Sequence, residues 1–418
     1  MMCWRYSRGS SGNFLFTVTT FLSANSILQK DLNTMTFLKG FFLSAVVVSS
    51  AAAAVSAQAS AFSGTAGLSG FHNTATLYTQ YIAESLHKAA VPGAIVGIWQ
   101  NGRPAYLRAF GDADLTPKTP MTTHMVMPLG QLSTAFTVRA ALDLVQSGKI
   151  QLQDPVSQYL QGVPEGNVIT VADLVQMRSG LSDYLSDPAF IQEIKTHPET
   201  RLSPEQLLHY SFAEPLLFKP GSRFAYSATN SIVLGLIIEK VTGKPLSRVI
   251  AEQILQPHNL RNTHFSTSFA DPFLQARGYH LSDSHQFVAQ PWNPSQFWAA
   301  GAVTGSAEDM RRWARINANL QPYAQILAPY QLHSSDQKNT RVHYHWGSLD
   351  NNGWIGNASR QAGYESVVIY APKSKDTIVI FVNSEATDQG VSVAARLAQH
   401  LSRFISPRAV FLAGAHPE

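Results

Sequence analysis

The sequence is short of cysteine and of charge. Cys3 is the only cysteine in 418 residues. It lies in a leader read below as removable. The remaining chain then has no disulfide framework, no thiol nucleophile and no cysteine-based metal site. Charged residues make up 14%, against roughly 25% in an average soluble protein. No long run of like charge occurs, so no acidic or basic tail is expected. The formal net charge is +4, but residues 1–57 hold Arg5, Arg8, Lys30 and Lys39 against Asp31 alone. Without them 27 basic residues face 26 acidic ones, a net of +1. That balance offers no support for a nucleic-acid partner. Long apolar runs are scarce too. The greasiest, Phe41 to Val48, is too short to span a bilayer.

What is present describes an exported globular protein. Hydrophobic residues reach 45%, enough for a large core. From Met35 the chain has a lysine at position 39, the apolar run, then Ser- and Ala-rich sequence to Ala57. Those are the three parts of a secretory signal, with cleavage sites at Val55-Ser56-Ala57 and Ala57-Gln58-Ala59. The expected organisation is a non-native upstream extension over 1–34, a signal peptide over 35–57, a linker over 58–75, one domain over 76–406 and a tail over 407–418. A periplasmic or secreted location follows, with no stable membrane span after cleavage.

Within the domain, strand and helix signals segregate. A helix is expected from Thr76 to Lys88, with Tyr78, Ile82 and Leu86 on one face. Ala94 to Trp99, the turn Asn101-Gly102 and Arg103 to Phe110 predict a hairpin. Gly111 to Thr123 reads as a polar surface loop. The helix after Gly130 carries Phe136, Ala140, Ala141, Leu144 and Val145 at helical spacing and ends at Gly148. Helix starts are expected at Thr170, a capping box with Asp173, at Ser203-Pro204 and at Ser306. Ile232 to Thr242 is a strongly apolar helix. Ser366 to Ala371 and Thr377 to Asn383 are strand-like, and Gln389 to Ile405 is a final helix. The fold class predicted is therefore α+β: an antiparallel sheet built from both ends of the domain, flanked by helices. A mainly helical lobe, about 124–310, is inserted in it, and a cleft between lobes is the default site.

Several stretches, in this order and spacing, resemble the serine β-lactamase and D,D-peptidase superfamily. They include Val91-Pro92-Gly93-Ala94, Phe110-Gly111-Asp112-Ala113-Asp114, Asp154-Pro155-Val156, Arg178-Ser179-Gly180-Leu181 and Ala225-Tyr226-Ser227. Leu234 to Glu239, Ala300-Gly301 and Ser306 to Met310 continue the series. The resemblance covers Val91 to Ser384. It is closest to the branch of class C β-lactamases, D-alanyl-D-alanine carboxypeptidases and related esterases.

That resemblance implies three catalytic motifs, and here they have decayed. A Ser-x-x-Lys should supply a nucleophile and, one helical turn on, a lysine that helps activate it. Aligned on Gly130 and Phe136-Thr137, the serine position is Gln131 and the lysine position is Thr134. A Tyr-x-Asn should follow. Tyr226 matches its tyrosine, but Ala228 occupies the asparagine position. A Lys- or His-x-Gly on an inner strand should hold a substrate carboxylate. It falls at Asn357-Ala358-Ser359, with Arg360 adjacent.

Substitution of the nucleophile, its lysine and the asparagine removes the covalent step of the family route. The favoured expectation is a catalytically impaired homologue. It would bind a peptidoglycan-like peptide or a small ester or amide as a monomer, with no cofactor. One alternative is a hydrolase that uses Tyr226 with Ser133 or Thr134; Ser133, two residues from the nucleophile position, points to another helix face. Another is a protein-interaction module. Ser335-Asp336-Gln337-Lys338 is a formal Ser-x-x-Lys in a polar stretch without a helix behind it. His343 and His345 alternate on a strand but lack the companions of a metal site.

Overall fold

Asn101 and Gly102 take φ of 49° and 74°, the left-handed pair that a two-residue hairpin turn needs. They join β1 (Gly93–Gln100) to β2 (Arg103–Leu115), as the Asn-Gly signal predicts. The computed structural model describes residues 68–415 except 269, 283, 285 and 331–340. The leader and the Ser335 to Lys338 motif lie outside the described residues.

The chain continues through β3 (Lys118–Pro120) and β4 (Val126–Pro128). After the helices described below come β5 (Thr263–Phe265), β6 (Gly278–Leu281), β7 (Phe287–Gln290) and β8 (Val303–Ser306). The last group is β9 (Val342–His345), β10 (Ser348–Asn351), β11 (Trp354–Gln361), β12 (Tyr364–Ala371) and β13 (Asp376–Val382). The main sheet runs β3-β2-β1-β13-β12-β11-β10-β9, and every pairing in it is antiparallel. Strands from both ends of the domain therefore interleave, as expected. A second sheet, β4-β8-β5, sits among the helices.

Helices cover both faces. The outer face carries α1 (Leu68–Lys88) and, near the C-terminus, a long amphipathic helix. Ile82, Leu86, Val96, Ile98, Val367, Ile369, Ile380, Leu397 and Leu401 form one core there. The inner face carries α2 (Ser133–Gln146), α3 (Val171–Val175), α4 (Pro188–Thr196), α5 (Pro204–Phe212), α6 (Ala228–Thr242), α7 (Leu246–Ile250) and α8 (Ala307–Ala318). Their apolar sides share a larger core with Ile95, Trp99, Val368 and Phe381 of the sheet. Phe136 of α2 stacks on Trp313 of α8 at 3.9 Å and 14°, and both are buried. The capping boxes at Thr170 and Ser203 form as predicted, and Ser306 caps α8.

Four expectations are corrected. The stretch 111–123 is not a loop, because β2 runs to Leu115 and β3 follows. Both are polar edge segments whose one-sided exposure leaves no apolar alternation to read. The expected linker over 58–75 already contains the start of α1 at Leu68. The final helix, α9 (Val393–Ile405), begins at Val393 rather than Gln389. A small hairpin, β14 (Thr387–Asp388) and β15 (Val391–Ser392), precedes it, with Gln389 and Gly390 both at positive φ in its turn. The tail past 406 is held on the sheet: Trp354 Nε1 donates to Ala409 O, and Phe411 is buried.

Candidate functional site

A single 3-10 turn, Gly130–Leu132, leads from β4 into α2. Gly130 takes a φ of 56°, and a Cβ there would stand 2.2 Å from Ser359 Oγ. Glycine is thus required both by the backbone and by the approach of β11. The next residue, Gln131, donates its backbone N–H to Ser359 Oγ at 2.8 Å. An amide at the start of a helix is a natural donor for a negatively charged oxygen. Here that donor is taken by a side chain of the protein itself.

Strand alternation decides which β11 residues share the site. Asn357, Ser359 and Gln361 point inward. Asn357 Nδ2 donates to Gly347 O at 3.1 Å, and Gln361 Nε2 to Gly301 O at 3.2 Å. Arg360 does not join them. It is exposed and pairs across the sheet with Glu365, whose carboxylate accepts from Ala394 N–H of α9 on the outer face. The expectation that Arg360 lines the site with Asn357 and Ser359 is corrected by the two-residue period of a strand.

On α2, both candidate hydroxyls are buried and engaged. Ser133 is 0% exposed, and its Oγ accepts from Val303 N–H at 3.0 Å. Thr134 Oγ1 shares a hydrogen bond with Ser231 Oγ of α6 at 3.1 Å. Tyr226 sits just before α6. Its hydroxyl is buried with no hydrogen-bond partner, although Thr134 stands near enough to influence it. Burial first, then the Asp183 carboxylate, push the Tyr226 pKa above the ordinary phenol range. Tyr226 therefore stays protonated at neutral pH and is a donor rather than a base. Ala228 opens α6 with no side-chain amide to offer, and its N–H donates to Asp183 Oδ1 at 3.1 Å.

Two residues of this cluster escaped the sequence reading. Asp183 follows the Arg178-Ser179-Gly180-Leu181 stretch, and its Oδ1 also accepts from Leu185 N–H at 3.3 Å. Tyr344 lies between the two histidines of β9. Its hydroxyl is buried without a partner, and it too raises the Tyr226 pKa. Among the described residues, no group of three or more His, Cys, Asp or Glu could hold a metal ion. None of the described helices is long and apolar enough to cross a membrane.

Asp183 makes stability depend on pH. Burial pushes its pKa from 3.8 up to about 6, against the pull of its two backbone donors. The folded state thus holds a proton that the unfolded chain releases earlier. The contribution is full below pH 3.8 and is lost as pH rises to about 6, costing about 3 kcal/mol. Asp183→Asn keeps an oxygen acceptor for both amides but cannot titrate. Urea unfolding at pH 4, 5, 6 and 7 should show wild type losing stability against this variant by about that amount. Parallel pH profiles would remove Asp183 from the account.

Comparison with known proteins bears on the family and the fold. The family model described as Beta-lactamase matches residues 78–402. "Protein flp" of Staphylococcus aureus is 25% identical over 352 residues, covering 77% of this chain and 64% of that protein. The chain thus spans a little under two thirds of the curated relatives it matches first. Among solved structures, a D-stereospecific amidohydrolase from Streptomyces superposes with a TM-score of 0.69 at 23% identity, over 79% of this chain and 98% of that one. An octameric penicillin-binding protein homologue from Pyrococcus abyssi gives 0.67 at 22%, over 80% and 79%. These structural likenesses bear on the fold.

Proposed function

Because the chain belongs to the beta-lactamase family, we propose that it is a serine-hydrolase-fold protein whose acyl-transfer site has been vacated and now binds without cutting. Its place would be in the branch of class C β-lactamases and D-alanyl-D-alanine carboxypeptidases. The observation that carries the reading is the hydrogen bond from Gln131 N–H to Ser359 Oγ. The nucleophile position holds an amide side chain, and the adjacent oxyanion donor is already satisfied. The unpartnered Tyr226 hydroxyl beside Thr134 adds to it. Buried polar atoms rarely go unpaired, and a lysine in place of Thr134 is the partner the family pattern would supply.

The ligand in this reading is a peptidoglycan-like peptide or a small ester or amide, met outside the cytoplasm by a monomeric protein after signal cleavage. Names among the similar structures, a D-stereospecific amidohydrolase and a penicillin-binding protein homologue, favour a peptide with D-residues. Rescue by Ser133 or Thr134 is disfavoured because both hydroxyls are buried and hydrogen-bonded. A pure protein-interaction module would leave small ligands without effect.

The purified chain should stay unlabelled by fluorescent penicillin and by a fluorophosphonate probe. A D-alanyl-D-alanine-terminated peptide at a hundred times its Kd should add about 2.7 kcal/mol to unfolding stability. Covalent labelling mapped to one hydroxyl would overturn the vacated-site reading. No stabilisation by any such peptide, ester or amide would leave the interaction module in its place.

A further inference from the structure

Away from the Gln131 cluster, two clefts of 340 and 290 Å³ adjoin. Both walls include Ser266 and Thr267, in the segment that follows β5, and neither includes a residue of the Gln131 cluster. At one end stands Asp271. Its Oδ1 accepts from Phe273 N–H at 2.8 Å, while Oδ2 is buried and has no hydrogen-bond partner. A buried carboxylate oxygen without a donor is costly. His264 and Phe273, stacked at 3.8 Å and 12°, line the same end. Burial holds the His264 imidazole below its ordinary pKa, so it does not neutralise the carboxylate. Behind them, α7 passes into a π-helical stretch, Ala251–Leu255, and Ala251 and Leu255 form part of the wall. Such distortions of a helix recur at functional sites.

The other cleft carries a cation, with the Glu205 carboxylate accepting from the wall residue Ser203 Oγ at 2.8 Å. Arg201 lines it together with Trp298 and the N-terminus of α5. That helix has nine residues, and its dipole favours negative charge at the same place as the guanidinium. The two clefts thus hold a guanidinium in one wall and a carboxylate in the other, with aromatic rings in each wall and Ser266 and Thr267 shared by both.

We propose that this double cleft is a second binding site, for a short unmodified peptide whose ammonium pairs with Asp271 and whose carboxylate pairs with Arg201. It does not depend on the state of the Gln131 site. A neutral ligand would leave Asp271 Oδ2 unpaired, and a ligand of one charge would use only half of the groove.

Calorimetric titration of the full chain with Ala-Phe, N-acetyl-Ala-Phe and Ala-Phe amide tests this directly. The parent peptide should bind, and acetylation and amidation should each weaken it about tenfold. Asp271→Asn should erase the difference between free and acetylated peptide and keep the difference between free and amidated peptide. Arg201→Gln should do the reverse. Thr267→Trp, which fills the shared middle without touching either charge, should abolish binding in a chain that unfolds at the wild-type temperature. No binding of Ala-Phe at millimolar concentration, or unchanged discrimination in both charge variants, overturns the proposal.

Discussion

Ser359→Gly, added to a chain that already carries Gln131→Ser and Thr134→Lys, should speed acylation by penicillin about a hundredfold. On the vacated-site reading, the two-substitution chain supplies a nucleophile and its lysine but leaves the backbone amide at position 131 donating to Ser359 Oγ. Loss of one oxyanion donor costs on the order of 10² to 10³ in rate. Removing the competing hydroxyl should return that factor. Thr134→Lys brings an ammonium into a buried position, which is tolerated only with partners. The unpaired Tyr226 hydroxyl and Ser231 Oγ supply them. Intact-mass spectrometry over time gives both rates. Equal acylation with and without Ser359→Gly would show that this hydrogen bond is irrelevant to the chemistry.

Phe136→Ala should be the most destabilising single change near the site, at about 3–5 kcal/mol. Phe136 lies two residues after Thr134 on α2, and its ring stacks on Trp313 of α8. Because α8 packs on the inner face of the sheet, this contact ties the site helix to β12 and β13. Truncation removes the stacked area and leaves a cavity that two helices pinned elsewhere cannot close. Phe136→Leu, which keeps most of the volume, should cost under about 1.5 kcal/mol. Urea unfolding of the three chains measures both differences, and a loss below 1 kcal/mol for Phe136→Ala would mean that the pocket collapses freely.

The parts of the fold visible in the sequence were those with local causes. The Asn101-Gly102 turn, the caps at Thr170, Ser203 and Ser306, and the apolar face of α2 each follow from a few neighbouring residues, and each is found where expected. The edge strands around Asp112 to Pro120 are not legible in the sequence, because a half-exposed polar strand resembles a loop. Adjacency to Ser359 suggests Arg360 for the site, but strand alternation puts it on the other side of the sheet. The site divides in the same way. Gln131, Thr134 and Tyr226 are proposed from motif spacing. Ser359 as the group that occupies the Gln131 amide, Asp183 as a buried acid and Tyr344 as a second buried phenol depend on contacts between distant segments, which spacing alone does not reveal.

The strand order also fixes when the sheet can exist. β13 lies between β1 and β12, and Ala94 pairs with Val382. Until residues 376–382 have been synthesised, β1 and β2 share no hydrogen-bonded path with β12 and β11. Loops that close over such spans are slow to form. A ribosome releases nearly the whole helical inner layer before the strand that unites the two halves emerges. During that interval β1 presents an unpaired edge and an apolar face, the features that invite mispairing. Completion therefore waits on the C-terminal strands, and a chain cut short just before β13 keeps most of its helices yet lacks the strand that joins the sheet beneath them.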